Sequence, residues 1–535
     1  MKTKNRKSGK AVQTTSINNR RKHGAGLSGK HKSAAKRQTQ VQSGSRHSGK
    51  GAVVAVNDVT TANAAENTKS APDSRYLRTD VGNAELFAAL YAERLRFDHK
   101  RGRWLVWKDG RWWAKDEIQG VVRMAKNVAR LRLKNATNRD ETKWALRSEA
   151  RQRLEAMAEL AKSERPLADS GDGWDSDPWL LGVANGVVDL RTGQLRDGKQ
   201  SDKITLHSKI AFDPTAKAPR WERFISEVFD GNTELIEYVQ RAVGYSITGD
   251  VGEQVIFLAY GSGANGKSTF VEMIRHVLGE HAYNLPFSAF ELSGRSSIPN
   301  DIAALENRRF ATAIETSESS RLNEARIKAL TGSDPITARY LFKEFFTFVP
   351  MAKFWLVFNH FPKVNDESEG FWRRVQVISF VHQFPKEKRD KKLLQKLKEE
   401  ADGILNWVIE GARKWKEQGL NTPAIVTEMS EQYRQESDVL VEFLEDCCVL
   451  DADASTTSGK LWNEYLQWQT RQNDGDGLDR TTFGRKLEAR GLKKERVGKE
   501  RTRGWRGIRL KSDDLDEFFA VGPQVVAEAV EVVNA

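Results

Sequence analysis

The sequence predicts a multidomain α/β protein whose centre is a mostly parallel sheet with flanking helices. Three observations predict it. At 535 residues the chain exceeds what one hydrophobic core accommodates, so two to four domains are expected. Between residues 251 and 385, apolar runs of strand length alternate with helix-patterned segments, as in strands joined by crossover helices. One of those runs, Glu253 to Tyr260, leads through a glycine-rich turn into the amphipathic segment Lys267 to Leu278.

Ahead of that centre the composition changes twice. Residues 1–72 hold 15 Lys/Arg against 2 Asp/Glu and no aromatic residue, and their net charge of +13 equals that of the whole chain. Such a segment buries too little apolar surface to offset the entropy of ordering, so residues 1–75 are expected to be a disordered basic arm. It is either a tether that binds nucleic-acid phosphates by counterion release or a solubilising or targeting tail. Residues 76–168 read as an α+β module, mainly helical. A helix over Gly82 to Leu95 precedes a hairpin that carries Trp104, Trp107, Trp112 and Trp113 around the turn at 108–111. The tryptophans are expected in the core. Helical patterning resumes over Glu117 to Glu164, with a break at Asn135 to Asn138.

Asp169 to Asp177 is acidic and contains glycine, and reads as a linker. It opens the segment 169–250, expected to be mainly helical, with a turn at Asn185-Gly186 and an amphipathic run from Pro219 to Tyr245. In the centre, strands are predicted at Phe310 to Glu315, Ile336 to Phe342, Lys353 to Asn359 and Val375 to Phe380. Residues 386–435 form a helical connector, 436–511 a separate compact unit, and 512–535 an acidic tail.

Composition also excludes. No apolar run approaches the ~20 residues of a membrane span, nor does the N-terminus resemble a signal peptide, so no membrane association is expected and the protein should stay where it is made. The cysteines are the adjacent pair Cys447 and Cys448, which suits neither a disulfide framework nor a zinc site and reads as core.

The chemistry is concentrated in the glycine-rich turn. Gly261, Ser262, Gly263, Ala264, Asn265, Gly266, Lys267, Ser268 and Thr269 match G-x-x-x-x-G-K-S, a phosphate-cradling P-loop. The glycines let backbone N–H groups surround a β-phosphate, and the following helix adds its positive end. Lys267 is expected to bridge the β- and γ-phosphates of ATP, and the Ser268 hydroxyl to bind Mg²⁺. A carboxylate at the end of a neighbouring strand must orient Mg²⁺ and activate water. Glu315 is the candidate, with Glu318 in reserve. Asn359, at the end of the next buried strand, offers an amide to the γ-phosphate or the attacking water. Arg373 and Arg374 follow a loop and are placed to serve a neighbouring subunit's nucleotide as an arginine finger.

In the C-terminal unit, residues 460–472 and 481–491 read as helices, the second capped by Thr481, and 493–511 as a basic hairpin. That hairpin holds nine Lys/Arg against two Glu, with Trp505 between them for stacking. Arg485 and Lys486 of the second helix, and Lys499, Arg501 and Arg503 of the hairpin, are the candidate nucleic-acid contacts.

Taken in order, these segments resemble the phage/plasmid primase family, specifically the superfamily 3 helicase part shared with poxvirus-type primase-helicases. The resemblance runs from about Tyr76 to Leu510. It rests on Asn185-Gly186-Val187-Val188-Asp189-Leu190-Arg191-Thr192-Gly193, the P-loop, Lys328-Ala329-Leu330-Thr331-Gly332-Ser333-Asp334, Asn359, Arg373-Arg374 and Gly403-Ile404-Leu405-Asn406-Trp407. It implies an AAA+-like ATPase core and a winged-helix domain at 436–511. It further implies a homo-hexameric ring on single-stranded and forked DNA, with ATP sites between subunits. Lys328 and Lys343 would face the DNA, Lys343 from a hairpin, and the protein would be cytoplasmic at replicating DNA. The segment before the motor lacks the primase-polymerase part of many relatives, so a separate primase is the expected partner. A replicative helicase, an initiator that uses ATP for ring assembly, and a primase-helicase remain open.

Overall fold

The computed structural model describes residues 75–512, apart from 109, 293–299, 316–319, 367, 472–476 and 499. The basic arm up to residue 74, the acidic tail beyond 512, Glu318 and Lys499 lie outside the described residues.

The first module opens with α1 (Asp80–Tyr91), whose cap is the Thr79 hydroxyl, 3.0 Å from the Gly82 N–H it accepts. There follow β1 (Leu95–Asp98), β2 (Arg103–Lys108), β3 (Trp112–Lys115), α2 (Gly120–Asn135), α3 (Arg139–Ser148), α4 (Arg151–Leu160) and β4 (Ala168–Asp169). Leu95 starts a strand rather than ending the helix. The sheet runs β3-β2-β1-β4, and Phe87, Val128 and Met157 fill the core. Trp113 is buried as expected, while Trp112 stacks on His207 with centroids 4.2 Å apart.

The segment 169–250 departs from expectation. Its first half is an antiparallel meander of β5 (Leu180–Val183), β6 (Gly186–Asp189) and β7 (Gln194–Arg196), and only α5 (Pro219–Val228) and α6 (Thr233–Ile247) are α-helical. Nor is Asp169 to Asp177 a spacer. Asp169 pairs with β1, Trp174 is buried, and the Asp175 carboxylate accepts from the Thr205 and Leu206 N–H groups at 2.5 and 2.9 Å. The acidic residues that suggest a solvated linker are instead acceptors for loop backbone, a role short carboxylates fill well.

The central elements are β8 (Ile256–Tyr260), α7 (Lys267–Leu278), β9 (Ala282–Asn284), α8 (Asn300–Ala303), β10 (Phe310–Ile314), α9 (Glu324–Thr331), β11 (Ile336–Ala338), β12 (Phe346–Phe348), β13 (Lys353–Phe358), α10 (Glu369–Trp372) and β14 (Val375–Ser379). Five of them make an all-parallel sheet in the order β14-β8-β13-β10-β9. Both faces are covered, so every residue of β13 is buried. Alternation sends Phe257 and Trp355 to one core, with Trp221 and Phe270, and Leu258 and Leu356 to the other, with Phe371 and Tyr433. The strand expected over Ile336 to Phe342 is short. It pairs antiparallel with β12 outside the main sheet, and the chain turns at Phe342, whose φ is +61°.

After β14 come α11 (Leu393–Lys398), α12 (Ala401–Gln418) and α13 (Ala424–Glu436). This stretch is no mere connector. Ile404, Leu405 and Trp415 of α12 share the core of Trp221 and Trp355. Helices α6 and α12 touch at Gly244 and Gly411, where a Cβ on Gly244 would lie 2.0 Å from the Gly411 carbonyl carbon. The C-terminal unit has α14 (Val439–Cys447), β15 (Cys448–Thr457), α15 (Ser458–Arg471), α16 (Arg480–Ala489), β16 (Lys493–Val497) and β17 (Thr502–Leu510), with an antiparallel sheet β15-β17-β16. The cap of α16 is Asp479, not Thr481. Its carboxylate accepts from the N–H groups of Thr481 and Thr482 at 2.9 and 3.1 Å. Cys448 is buried, which pushes its thiol up to about 12. Among the described residues no helix is long and apolar enough to cross a membrane.

Candidate functional site

The site forms at the carboxyl ends of β8, β10 and β13, where an open parallel sheet leaves a crevice between diverging connections. From Tyr260 the chain passes through Gly261 to Gly266 and enters α7 at Lys267. Gly263, Ala264 and Gly266 have φ of +100°, +54° and +86°. Gly266 has a second constraint: an added Cβ would meet the Val228 methyl at 2.8 Å and the Phe224 ring at 3.1 Å. The loop is tied to the segment after β14. Asn265 Nδ2 donates to the Phe380 carbonyl at 2.8 Å, Gln383 Nε2 to Ser262 Oγ at 2.6 Å, and the Phe384 N–H to the Ala264 carbonyl at 3.0 Å.

Lys267 is buried, and its ammonium meets neutral oxygen acceptors. It donates to the Gly261 carbonyl, to Asn265 Oδ1 at 2.9 Å and to Asn359 Oδ1 at 3.1 Å. Desolvation lowers its pKa to about 8. Glu315 stands just past β10; its N–H donates to the Val357 carbonyl at 2.9 Å, and its carboxylate accepts from the Ser320 hydroxyl. Gly263 to Thr269, Glu315 and Asn359 line one open cleft of about 330 Å³. The Ser268 side chain is exposed there, and the first-turn N–H groups of α7 have no partner within the helix. The cleft therefore offers an anion a lysine ammonium and backbone N–H groups, and offers a hard cation a hydroxyl and a carboxylate.

The remaining candidates divide. Arg373 is exposed and donates to Gln254 Oε1 at 2.9 Å. Arg374 is buried, donating to Thr331 Oγ1 at 3.1 Å and to the Gly370 carbonyl. It braces α9 against α10, with its guanidinium turned inward. Lys328 is paired with Asp366 at 2.6 Å. Lys343 is exposed between β11 and β12, next to Phe342, which is 94% exposed. In the C-terminal unit Arg485, Arg501 and Arg503 are exposed, whereas Lys486 is buried and faces Asp438 at 3.5 Å. Trp505 is also inside, packed with Phe443, Tyr465 and Phe483, so it presents no stacking surface. Sequence reading named Lys486 and Trp505 because helical and strand periods do not reveal which face a small domain buries. It missed the braces at Phe380, Gln383 and Phe384, which lie over 100 residues from the loop they hold and carry no local signal.

The fold and cleft define a class: a multidomain α/β protein with a central five-stranded parallel sheet and a glycine-rich loop, carboxylate and amide converging on one crevice. Residues 84–230 match the family described as "D5 N terminal like", and residues 259–374 match the "Family of unknown function (DUF5906)". The chain thus carries, in this order, one segment similar to each of these two families. A protein of Acanthamoeba polyphaga mimivirus provisionally named a helicase is 29% identical over 51% of this chain and 31% of its own length. One of Frog virus 3 with the same kind of name is 23% identical over 65% and 44%. One of African swine fever virus provisionally named a primase is 24% identical over 39% and 23%. This chain thus spans under half the length of these relatives. The apo structure of the NrS-1 C-terminal region aligns with 80% of this chain and 99% of its own at 12% identity, with a TM-score of 0.39.

Proposed function

We propose that the protein is an ATP-dependent DNA helicase of a phage, prophage, plasmid or viral replication system. The observation that carries this is the convergence of Gly263 to Thr269, Glu315 and Asn359 on one cleft, with Lys267 held by neutral acceptors alone among its hydrogen-bond partners. In this reading Gly261 to Gly266 form a P-loop of an AAA+-like, superfamily 3 motor. A nucleotide phosphate displaces one or more of the three acceptors of Lys267. The ammonium then bridges phosphates, and Asn359, released from Lys267, turns its amide to the γ-phosphate or the attacking water. Ser268 and Glu315 would hold Mg²⁺, which supplies charge neutralisation at the phosphates when bound. Glu315 accepts the water's proton. Arg373 reaches a neighbouring subunit's nucleotide, which requires a ring, read here as a homo-hexamer. DNA contacts come from Lys343 on the β11–β12 hairpin and from Arg485, Arg501 and Arg503 of a winged-helix unit.

Strand displacement on forked DNA tests the reading directly. Wild-type protein unwinds it with ATP and Mg²⁺, and Lys267→Ala does not. Hydrolysis without any unwinding would leave the initiator reading, in which ATP serves ring assembly. The primase names among relatives support a second reading, a primase-helicase, which primer synthesis on single-stranded template decides.

A further inference from the structure

We infer that the helical hairpin α2–α3 of the first module binds the phosphate backbone of duplex DNA. From Ile118 to Arg139 the chain has six Lys/Arg and no Asp or Glu. Helix α2 buries Val121, Ala125, Val128 and Ala129. On its other side Arg123, Lys126, Arg130 and Lys134 are exposed, and at 3.6 residues per turn they fall within about 80° of one another. Three residues, 136–138, turn the chain into α3, which repeats the pattern: Ala145 and Ser148 are buried, while Arg139, Lys143 and Arg147 are exposed and follow one another at i+4 spacing.

Among the described residues these charges are almost all without an ion-pair partner. Among the described residues Arg123, Lys126, Lys134, Arg139, Lys143 and Arg147 make no ion pair, and Arg130 has only a loose one with Glu149 at 3.8 Å. Glu141 is turned to Arg78, which leaves Asp140 as the other carboxylate on α3. Like charges at i+4 spacing are mutually unfavourable, so two such stripes on one hairpin carry a repulsion that a polyanion relieves. The α2 stripe extends along a helix about 24 Å long, roughly seven B-form nucleotides.

The absence of stacking groups selects the occupant. Single strands are held by aromatic platforms beside positive charge. Here neither stripe contains an aromatic residue, and Trp144 of α3 lies under the Arg153 guanidinium at 4.5 Å. Charge without stacking fits the outward-facing phosphates of a duplex, read without regard to sequence. The choice of DNA among polyanions rests on the replication role proposed above.

The test uses the full chain, a fluorescent 20-base-pair duplex and no nucleotide. Arg123→Gln, Lys126→Gln and Lys134→Gln combined should lower the slope of log affinity against log salt by about 2 to 3, since each lost phosphate contact removes about 0.9. Affinity should fall roughly tenfold or more at moderate salt, while ATPase activity without DNA stays at the wild-type level. Lysine acetylation of wild-type protein, read by mass spectrometry, should show Lys126, Lys134 and Lys143 protected by duplex and exposed Lys217 not. An unchanged slope with unprotected lysines, or protection by single strand alone, overturns this inference and leaves the motor untouched. Wild-type protein that binds no DNA overturns both.

Discussion

Lys267 shows how a single residue couples the cleft to pH. Its folded pKa of about 8 comes from desolvation, and an adjacent triphosphate favours the charged form, so the complex holds the proton more tightly than the free protein. Between those two pKa values nucleotide binding takes up a proton. Affinity therefore falls as pH rises through about 8, by at most about tenfold per unit. Calorimetry at pH 8.5, where the triphosphate itself no longer titrates, should give binding heats that differ between buffers of different ionisation enthalpy; identical heats there would remove Lys267 from the phosphate site. Glu315 has a different signature. Glu315→Gln should bind ATP near wild-type affinity and lose hydrolysis by about 10²- to 10⁴-fold, as a general base does, in a single-turnover assay.

At the scale of elements, the core is anchored by large aromatic side chains. Trp355 of β13 lies between Phe257, Phe270 and Phe310, and its indole N–H donates to Ser246 Oγ at 3.0 Å. Trp355→Ala should cost about 3–5 kcal/mol, seen as a lower denaturation midpoint. The β11–β12 hairpin predicts a change in coupling instead. Lys343→Ala should leave ATPase activity without DNA intact and reduce its stimulation by single-stranded DNA, whereas equal loss of both would place Lys343 in the fold. Elements with a clean period were legible: α7 starts and ends at the residues its amphipathic pattern marks, and β8, β10, β13 and β14 lie within the apolar runs that forecast them. Those whose form depends on partners far along the chain were not. The acidic stretch at 169–177 becomes ordered through Thr205 and Leu206, and β11 is shortened by its pairing with β12.

For the whole molecule the same division holds. The three arms of the candidate site were readable because each carries its own chemistry at a strand end, and the parallel sheet brings strand ends together. Which arginine faces outward was not readable, since Arg373 and Arg374 are adjacent and only the packing of α9 against α10 turns the second inward. If Arg373 acts between subunits, ATPase activity per chain should rise with protein concentration. Light scattering should then show a particle of roughly 360 kDa, six copies of a 60.5 kDa chain. Activity per chain that is independent of dilution would remove that role. Removing residues 1–72, which lie outside the described residues, should flatten the salt dependence of DNA binding.

The contact of Gly244 with Gly411 bears on how the protein is made. Helix α6 emerges from the ribosome about 170 residues before the helix that covers it, an interval of roughly 10–30 s at ordinary elongation rates. Throughout that time the side of α6 that packs against α12 is uncovered. A truncation ending before residue 401 leaves that side of α6 bare and should aggregate rather than yield a smaller soluble protein, which sedimentation of the expressed fragment checks.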